Sequence, residues 1–581
     1  MHNAHDFVTM MFAPFAQGTI RPLSERLPFL ISLRLFDLDN LPFRVAVFIT
    51  AAIDILLIVY VTRRITSSRL AGSAAAFFWA TGAGIISPMT WNSSYNEVQC
   101  PVFLLGGIAL FAAWIDSGKK RYWWWQLVLF IAGLGSLETM VVYPVLCACW
   151  ALFVVKADVR RNALRSTIPL FALAVAFSLI HTRIAPLPKD GVYALRFDRR
   201  LAATFWEYWR WSFLPEEWAA FRYPAGLGIF VLVTSMAGFA LFVVGQIPKR
   251  RISVFFGLAW FLLTLAPMLP LPDRHSEYYL AIPVIGLAML AGAGVSQAWE
   301  AGWRWRAAAI VPVAAWFGGM VPSVRAATAH WVDESAISRT LVLGARAARA
   351  AHPGKAILLD GITDQQYRVA VADAGFLTAG VDEVYLTPRT DGQIHPAPDD
   401  DEFEPALLDP AVAQHAVQAD GAIVYSPSGD HLRNITATYA RYVLPAFPRV
   451  LPGRVELGGG LYSYLLGPHW QLPQGHVRWM PDAASLSIGT PDSPGEKLIL
   501  TGYSLDRQFR SGPQHISLSM GGIAIGATDI ALTEPRFVRA FPLPPGLIGR
   551  GVVTLSIVVQ PVAPINGSTY GIMVESVAVS R

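Results

Sequence analysis

Cysteine is scarce in this chain: Cys100, Cys147 and Cys149 are the only three in 581 residues. All three sit in apolar surroundings with no CxxC pair and no even-numbered framework, which argues against a thiolate metal site or a disulfide scaffold. Charge is scarce as well. Charged residues make up 15% of the sequence against 54% hydrophobic, and the mean hydropathy of +0.42 excludes an ordinary soluble globular protein. The first 28 residues lack the long apolar core of a cleavable signal peptide. Neither an HExxH pair nor an EF-hand loop is present, so no metal and no cofactor is expected, with a divalent cation left open.

What remains is an integral membrane protein. The net charge of +5 and pI near 9.0 do not point to nucleic acid, because much of the basic excess lies in short loops between apolar segments. Spanning roughly 30 Å of hydrocarbon takes about 20 apolar residues. Such windows fall near 43–62, 70–89, 98–115, 122–137, 139–155, 167–185, 225–247, 252–271, 279–297 and 307–323. The fourth and fifth share one run, interrupted by Gly133, Gly135 and Glu138. Arg63, Arg64 and Arg69 follow the first window, and Lys119, Lys120 and Arg121 follow the third. Lys156, Arg160, Arg161 and Arg165 follow the fifth. Lys249, Arg250 and Arg251 follow the seventh, and Arg304 and Arg306 follow the ninth. Every second loop is short and basic, which assigns those loops to the cytoplasm. The expectation is about ten transmembrane helices. Residues 1–42, 87–97, 186–224, 272–278 and everything after 323 then face outward, in the periplasm of a bacterial inner membrane. Residues 1–42 are thereby placed outside with no preceding helix. Either they cross as a short tail or an earlier span is missing, and the second reading is preferred.

Past the bundle (43–323) the pattern changes. In 324–445, "AARAAHPGKAILLDGITDQQYRVAVADAGF" reads as helix, strand, turn and helix, an extracytoplasmic α/β segment. From 446 to 581, short alternating runs such as "KLILTGYSL" and "VVTLSIVVQPV" are punctuated by Gly, Pro, Asp and Asn, the signature of a β-sandwich. The acidic stretch "GQIHPAPDDDEFEP" reads as an exposed loop.

Four outward segments carry the polar chemistry. The first holds Asp6, Arg21 and Glu25. The second, "SPMTWNSSYNEVQCP", holds Trp91, Asn92, Tyr95, Asn96 and Glu97. The third, "RLAATFWEYWRWSFLPEEWAAFRYP", places four Trp, two Tyr and three Phe among charges, a composition for a helix lying in the headgroup plane. The fourth, "DRHSEYY", crowds Asp273, Arg274, His275, Ser276, Glu277, Tyr278 and Tyr279 at one membrane boundary. Ionisable groups there are expensive and need partners. A guanidinium such as Arg274 matches phosphoryl oxygens at headgroup level, and a positioned acid such as Asp6 can accept a hydroxyl proton. Cation, base and apolar surroundings together describe group transfer from a lipid-phosphate carrier. The competing readings are structural. Asp6 is a solvated terminal acid, Arg21 and Arg274 are headgroup anchors, Glu97 caps a helix N-terminus, Glu138 satisfies broken backbone, and His275 pairs with Glu277.

The order of these signatures resembles the GT-C class of membrane glycosyltransferases, most nearly its protein O-mannosyltransferase-like branch. "TIRPLSERLPFLISLRLFDLDNLPFRVAVF" is similar to that branch's RPL loop and following helix. "ISPMTWNSSYNEVQCPVFLLGGIALF" is similar to its tryptophan-bearing second outer loop, "GSLETMVVYPVLCACWALF" to its Glu-then-Pro helix, and "DRHSEYYLAIPVIG" to its tyrosine-rich turn. The resemblance covers residues 1–300. It implies a sugar moved from a polyprenyl-phosphate donor to a glycan, lipid or protein acceptor on the extracytoplasmic face. Asp6 takes the place of the catalytic acid, by its distance ahead of Arg21. Arg21, Arg274 and His275 are expected to hold the donor phosphate, and Glu97, Glu138, Glu277 and Tyr278 to shape the site. Two departures stand out: a single acid, in His5-Asp6, where relatives often pair two, and Thr50 and Asp54 where they often carry His and Asn. The alternatives are a transporter of lipid-linked saccharides and a catalytically inactive assembly module.

Overall fold

A computed structural model describes residues 4–13, 19–186, 193–214, 226–246, 254–372, 375–396, 403–446, 452–505, 512–565 and 568–580. The chain divides into two compact units, Met1–Val332 and Asp333–Arg581.

The first unit is helical: α1 (Ala4–Phe12), α2 (Leu27–Phe36), α3 (Leu41–Thr66), α4 (Arg69–Ala80), α5 (Ile86–Thr90), α6 (Tyr95–Ser117), α7 (Lys120–Leu134), α8 (Tyr143–Phe153), α9 (Ala157–Ser166), α10 (Ile168–Ile184), α11 (Arg200–Trp211), α12 (Leu227–Gln246), α13 (Phe255–Leu265) and α14 (Val284–Glu300), with α15 (Trp303–Ala351) beginning in it and ending in the second unit. Among the described residues, five helical stretches are long and apolar enough to cross a membrane: Leu41–Thr66, Asn92–Ser117, Ala157–Ile184, Leu227–Gly245 and Trp303–Ala351. Glu138–Phe153 and Phe255–Met268 are apolar but shorter. These are the lengths and compositions of an integral membrane protein.

Several apolar windows do not become continuous helices, and the local chemistry says why. The window 70–89 stops as a helix at Ala80, before Gly82 and Gly84, and resumes only as the short α5. The run 122–155 breaks at Gly135, where α7 ends, and re-enters through a 3-10 turn at Glu138–Val142. The window 252–271 tightens into a 3-10 turn at Ala266–Met268 around Pro267. In the opposite sense, α15 continues through Pro312 and Pro322 well past the end of its apolar window.

Small residues set the closest helix approaches. A Cβ on Gly286 would lie 2.2 Å from the Gly257 carbonyl oxygen, so α13 and α14 touch backbone to backbone. A Cβ on Gly292 would lie 2.3 Å from the Ala71 carbonyl oxygen, bringing α14 equally close to α4. With no hydrophobic drive between helices in lipid, such close packing is what holds a bundle together. Trp79 Nε1 on α4 also donates to the Ala281 carbonyl, 2.9 Å away, just ahead of α14.

The second unit is strand-rich. Its first sheet is built from β1 (Ala356–Leu359), β2 (Val384–Leu386), β3 (Ala422–Ser428) and β4 (His431–Asn434), in the order β2-β1-β3-β4. β1 is parallel to both neighbours, and β3 and β4 form a hairpin. Then come β5 (Arg454–Glu456), β6 (Pro473–Gln474), β7 (Val477–Trp479), β8 (Ala483–Gly489), β9 (Lys497–Tyr503), β10 (Gln514–Met520), β11 (Ile523–Ile530), β12 (Arg536–Pro542), β13 (Val552–Gln560), β14 (Ala563–Ile565), β15 (Ser568–Tyr570) and β16 (Met573–Ser580). They form antiparallel sheets ordered β11-β10-β13-β8 and β12-β9-β16-β7-β6, with β5 also pairing β16 and β14 pairing β15 apart from both. Period-two alternation buries Ile516, Leu518 and Met520 of β10 with Leu555, Ile557 and Val559 of β13. Leu498 and Leu500 of β9 and Val574 and Val577 of β16 join the same core from the other sheet.

Candidate functional site

Arg21 is the hub of a polar cluster at one end of the helical unit. It lies just ahead of a π-helical turn, Pro22–Arg26, which returns Glu25 to it as an i,i+4 partner. Its Nη1 donates to Glu25 Oε1 at 2.6 Å, Nε donates to Glu138 Oε2 at 2.8 Å, and Nη2 lies 2.7 Å from that same oxygen. Burial works against the Arg21 charge, but the Glu138 and Glu25 carboxylates more than offset it and hold its pKa above the ordinary arginine value. His181, in the last turn of α10, places Nε2 3.8 Å from the other Glu138 oxygen.

The loop bearing Arg21 is laced to its surroundings by backbone. Leu23 N–H donates to the Gly135 carbonyl at 3.0 Å, and Ser24 Oγ donates to the Ser136 carbonyl at 2.6 Å. Ser136 Oγ donates to Gln99 Oε1 at 2.7 Å, and Gln99 Nε2 returns to the Leu23 carbonyl at 3.1 Å. The break after α7 therefore receives the loop, and Glu138 sits where that break exposes it. Glu97, only 3% exposed in the first turn of α6, lies within electrostatic reach of both Arg21 and Glu138.

Arg274 stands on the neighbouring turn. Its Nε donates to the Tyr193 hydroxyl at 3.0 Å and its guanidinium lies 5.5 Å from the Tyr193 ring centre. Tyr278, whose ring is 4.3 Å from that of Tyr279, feels both Arg274 and Glu97, which ties this turn to the Arg21 cluster. Burial pushes the Tyr278 hydroxyl up, so it stays a neutral donor. Trp91 meets Tyr278 edge-on at 5.9 Å and stacks on Trp331 at 6.3 Å. His275 turns away: Nε2 pairs with Glu207 Oε2 at 3.0 Å, Nδ1 faces the Pro272 carbonyl at 2.7 Å, and the ring stacks on Trp211. Glu277 is buried at 3% exposure. Asp6 lies on α1, but its side chain is outside the described residues.

Of the residues singled out from sequence, Arg21, Glu97, Glu138, Arg274 and Tyr278 thus converge, while His275 faces Glu207. Arg21 is engaged by two acids through all three of its nitrogens. Arg274, by contrast, uses only Nε, and no acceptor among the described residues takes its Nη groups. Sequence reasoning missed Tyr193, His181 and the Gln99–Ser136–Ser24 bracket. Glu25 was legible from its four-residue spacing to Arg21, whereas His181 closes ranks only through the helix packing. Asp54, on α3, is fully buried with neither oxygen hydrogen-bonded among the described residues. No group of three or more His, Cys, Asp or Glu able to cage a metal occurs among the described residues.

An apolar groove of about 580 Å³ is lined by α4, α12, α14 and α15 and by the end of α11. Trp211, Gly84 and Leu280 line one end, and Gln297, Ala301 and Trp305 the other. The 17 residues of α14 alongside it rise about 25 Å, close to the thickness of bilayer hydrocarbon. Because Trp211 stacks on His275, the first end adjoins the Arg274 turn. The opposite end of the bundle carries the Arg64–Asp116 ion pair and the contact between Ser68 and Ser296 hydroxyls at 2.7 Å.

No family model matches the chain, and no curated protein matches it. Among solved structures, the arabinosyltransferase EmbB from Mycobacterium smegmatis is similar at 13% identity and a TM-score of 0.28, over 97% of this chain and 60% of that one. Dimeric latent PorU from Porphyromonas gingivalis is similar at 13% identity and a TM-score of 0.15, over 22% of this chain and 12% of that one.

Proposed function

We propose that this protein is a GT-C-like membrane glycosyltransferase that moves a sugar from a polyprenyl-phosphate donor to a glycan, lipid or protein acceptor on the extracytoplasmic face. About ten helices cross a bacterial inner membrane in this reading, and the second unit, with its two antiparallel sheets forming a β-sandwich, lies in the periplasm. The observation that carries the proposal is the adjacency of two features: a guanidinium whose Nη groups meet no acceptor among the described residues, Arg274, and a groove of hydrocarbon depth whose end adjoins its turn. A polyprenyl phosphate has that same division between a long apolar chain and a doubly bonding oxyanion.

In this mechanism Arg274 grips the donor phosphate and stabilises the charge that grows on it as the glycosidic bond breaks. Asp6 takes the proton from the acceptor hydroxyl, which attacks the anomeric carbon from the opposite side, with inversion. The phosphate departs on its lipid. Arg21 acts at one remove: it fixes Glu25 and Glu138 and so holds the wall of the site. Glu97 and Tyr278 complete that wall between the two arginines.

Vesicles carrying the full chain, supplied with lipid-linked sugar, provide the test. Arg274→Ala removes charge-assisted bonds of about 1.5–3 kcal/mol and is expected to slow turnover roughly tenfold to a hundredfold. Asp6→Asn is expected to lose a comparable or larger factor. Unchanged turnover in both variants rejects the assignment.

A further inference from the structure

The first sheet of the second unit carries a second polar constellation, remote in sequence from the groove and unused by the mechanism above. β1 sits between β2 and β3, all three parallel. The chain therefore leaves β1 for one side and later returns on the other, and the carboxyl ends of β1 and β3 flank the point where strand order reverses. Ligands of open parallel sheets bind at such points.

The residues that leave these strand ends are polar. Asp360 follows β1, is 1% exposed, and donates its backbone N–H to the Tyr425 carbonyl at 2.8 Å. Thr387 and Arg389 follow β2. Thr387 Oγ1 donates to Asp360 Oδ1 at 2.7 Å, and Arg389 Nη2 donates to Asp360 Oδ2 at 2.5 Å. The buried Tyr439 hydroxyl lies beside Asp360 and Thr387. Asp360 is thus fully engaged, and its job is to aim the Arg389 fork. Arg389 itself is 47% exposed, and no acceptor among the described residues takes its Nε or Nη1. Gly361 turns the chain at φ +72°. A Cβ there would meet Ser426 Oγ at 3.6 Å and Arg389 Nη2 at 3.7 Å, so the three groups edge one small hollow. The Gly361 amide donates to no acceptor among the described residues.

Two donors edge this hollow, the Arg389 guanidinium and the Ser426 hydroxyl, and the Gly361 amide at the positive-φ turn is a third close by. We propose that the carboxyl ends of β1 and β3 form an oxyanion site, in which Arg389, Ser426 and the Gly361 amide hold a phosphate or a sugar carboxylate. An oxyanion needs donors only, which distinguishes it from a neutral sugar, whose hydroxyls also need acceptors. This site is independent of the transferase reading, and its test does not use turnover.

Full-length protein in detergent micelles is titrated calorimetrically with sodium phosphate and, separately, with sodium glucuronate, with glucose as the neutral control. At least one anion binds and glucose does not. Phosphate alone identifies a phosphoryl group, glucuronate alone a sugar carboxylate, and both a site for either oxyanion. Arg389→Lys keeps a cation beside Asp360 but loses the fork, and weakens binding about tenfold. Ser426→Ala leaves the ion pair intact and weakens it less. Unfolding curves that match the native protein show that both variants are folded. Failure of both anions to bind, or unchanged affinity in Arg389→Lys, overturns the proposal.

Discussion

At the scale of single residues, the two arginines picked out by sequence behave differently, and the difference lies in how many of their donors meet acceptors among the described residues. Arg21 spends its fork on Glu25 and Glu138, side chains that are 19% and 31% exposed. Removing one member of such a set leaves like charges facing each other without their counter-ion. Arg21→Ala is therefore expected to destabilise the helical unit by about 2 kcal/mol, the partial exposure keeping it below a fully buried pair. Glu138→Gln should do less, and the double variant should lose less than the sum of the two singles. Unfolding in detergent followed by tryptophan fluorescence measures all three, and strict additivity would show that the ion pair contributes nothing. The sequence marks Arg21 in an outward segment and Glu138 at a break inside an apolar run. It did not show that they bond, because 117 positions separate them and only the Gly135 break lets the loop reach Glu138.

At the scale of elements, hydrophobic windows located helices but not their ends. The windows at 43–62 and 98–115 match α3 and α6 because both are long apolar runs closed by a residue in the left-handed conformation: Ser67 after α3 and Gly118 after α6. Window 70–89 misled, since apolar composition persists through Gly82 and Gly84 after the helix has ended. Glycines also hold the packing information that hydropathy averages away. Gly286 and Gly318 are equivalent in composition, yet a Cβ on Gly286 would lie 2.2 Å from one backbone oxygen and 2.8 Å from the Phe261 nitrogen, while one on Gly318 meets nothing within 4 Å. Gly286→Ala should cost about 1–3 kcal/mol by forcing α13 and α14 apart. Gly318→Ala, inside α15, should be neutral or stabilise by roughly 0.5–1 kcal/mol through helix propensity. Thermal unfolding of the two variants side by side checks the pair. Equal effects would mean that backbone contact between α13 and α14 does not hold the bundle.

At the scale of the whole helical unit, one polar cluster stands at each end and the groove runs alongside α14. Glu97, Glu138, His181 and Tyr278 stand at helix ends that meet on one side, and Arg64, Asp116, Ser68 and Ser296 meet on the other. An apolar passage of that length is redundant for a substrate that sits wholly in water. It is explained if the substrate's tail lies along α14 while its phosphate reaches Arg274. Ala291 lines the groove part-way along α14, so Ala291→Phe should obstruct the far portion of a long chain without touching the polar cluster. For a donor bearing a full-length polyprenyl chain, KM is expected to rise about tenfold, equivalent to roughly 1.4 kcal/mol of lost burial, with kcat little changed. A donor with a two-isoprene chain, too short to reach Ala291, should show the same KM in both proteins. Steady-state turnover with the two donors separates the outcomes. An equal rise for both chain lengths would mean that the substitution disturbs the polar end itself and that the lipid tail lies elsewhere.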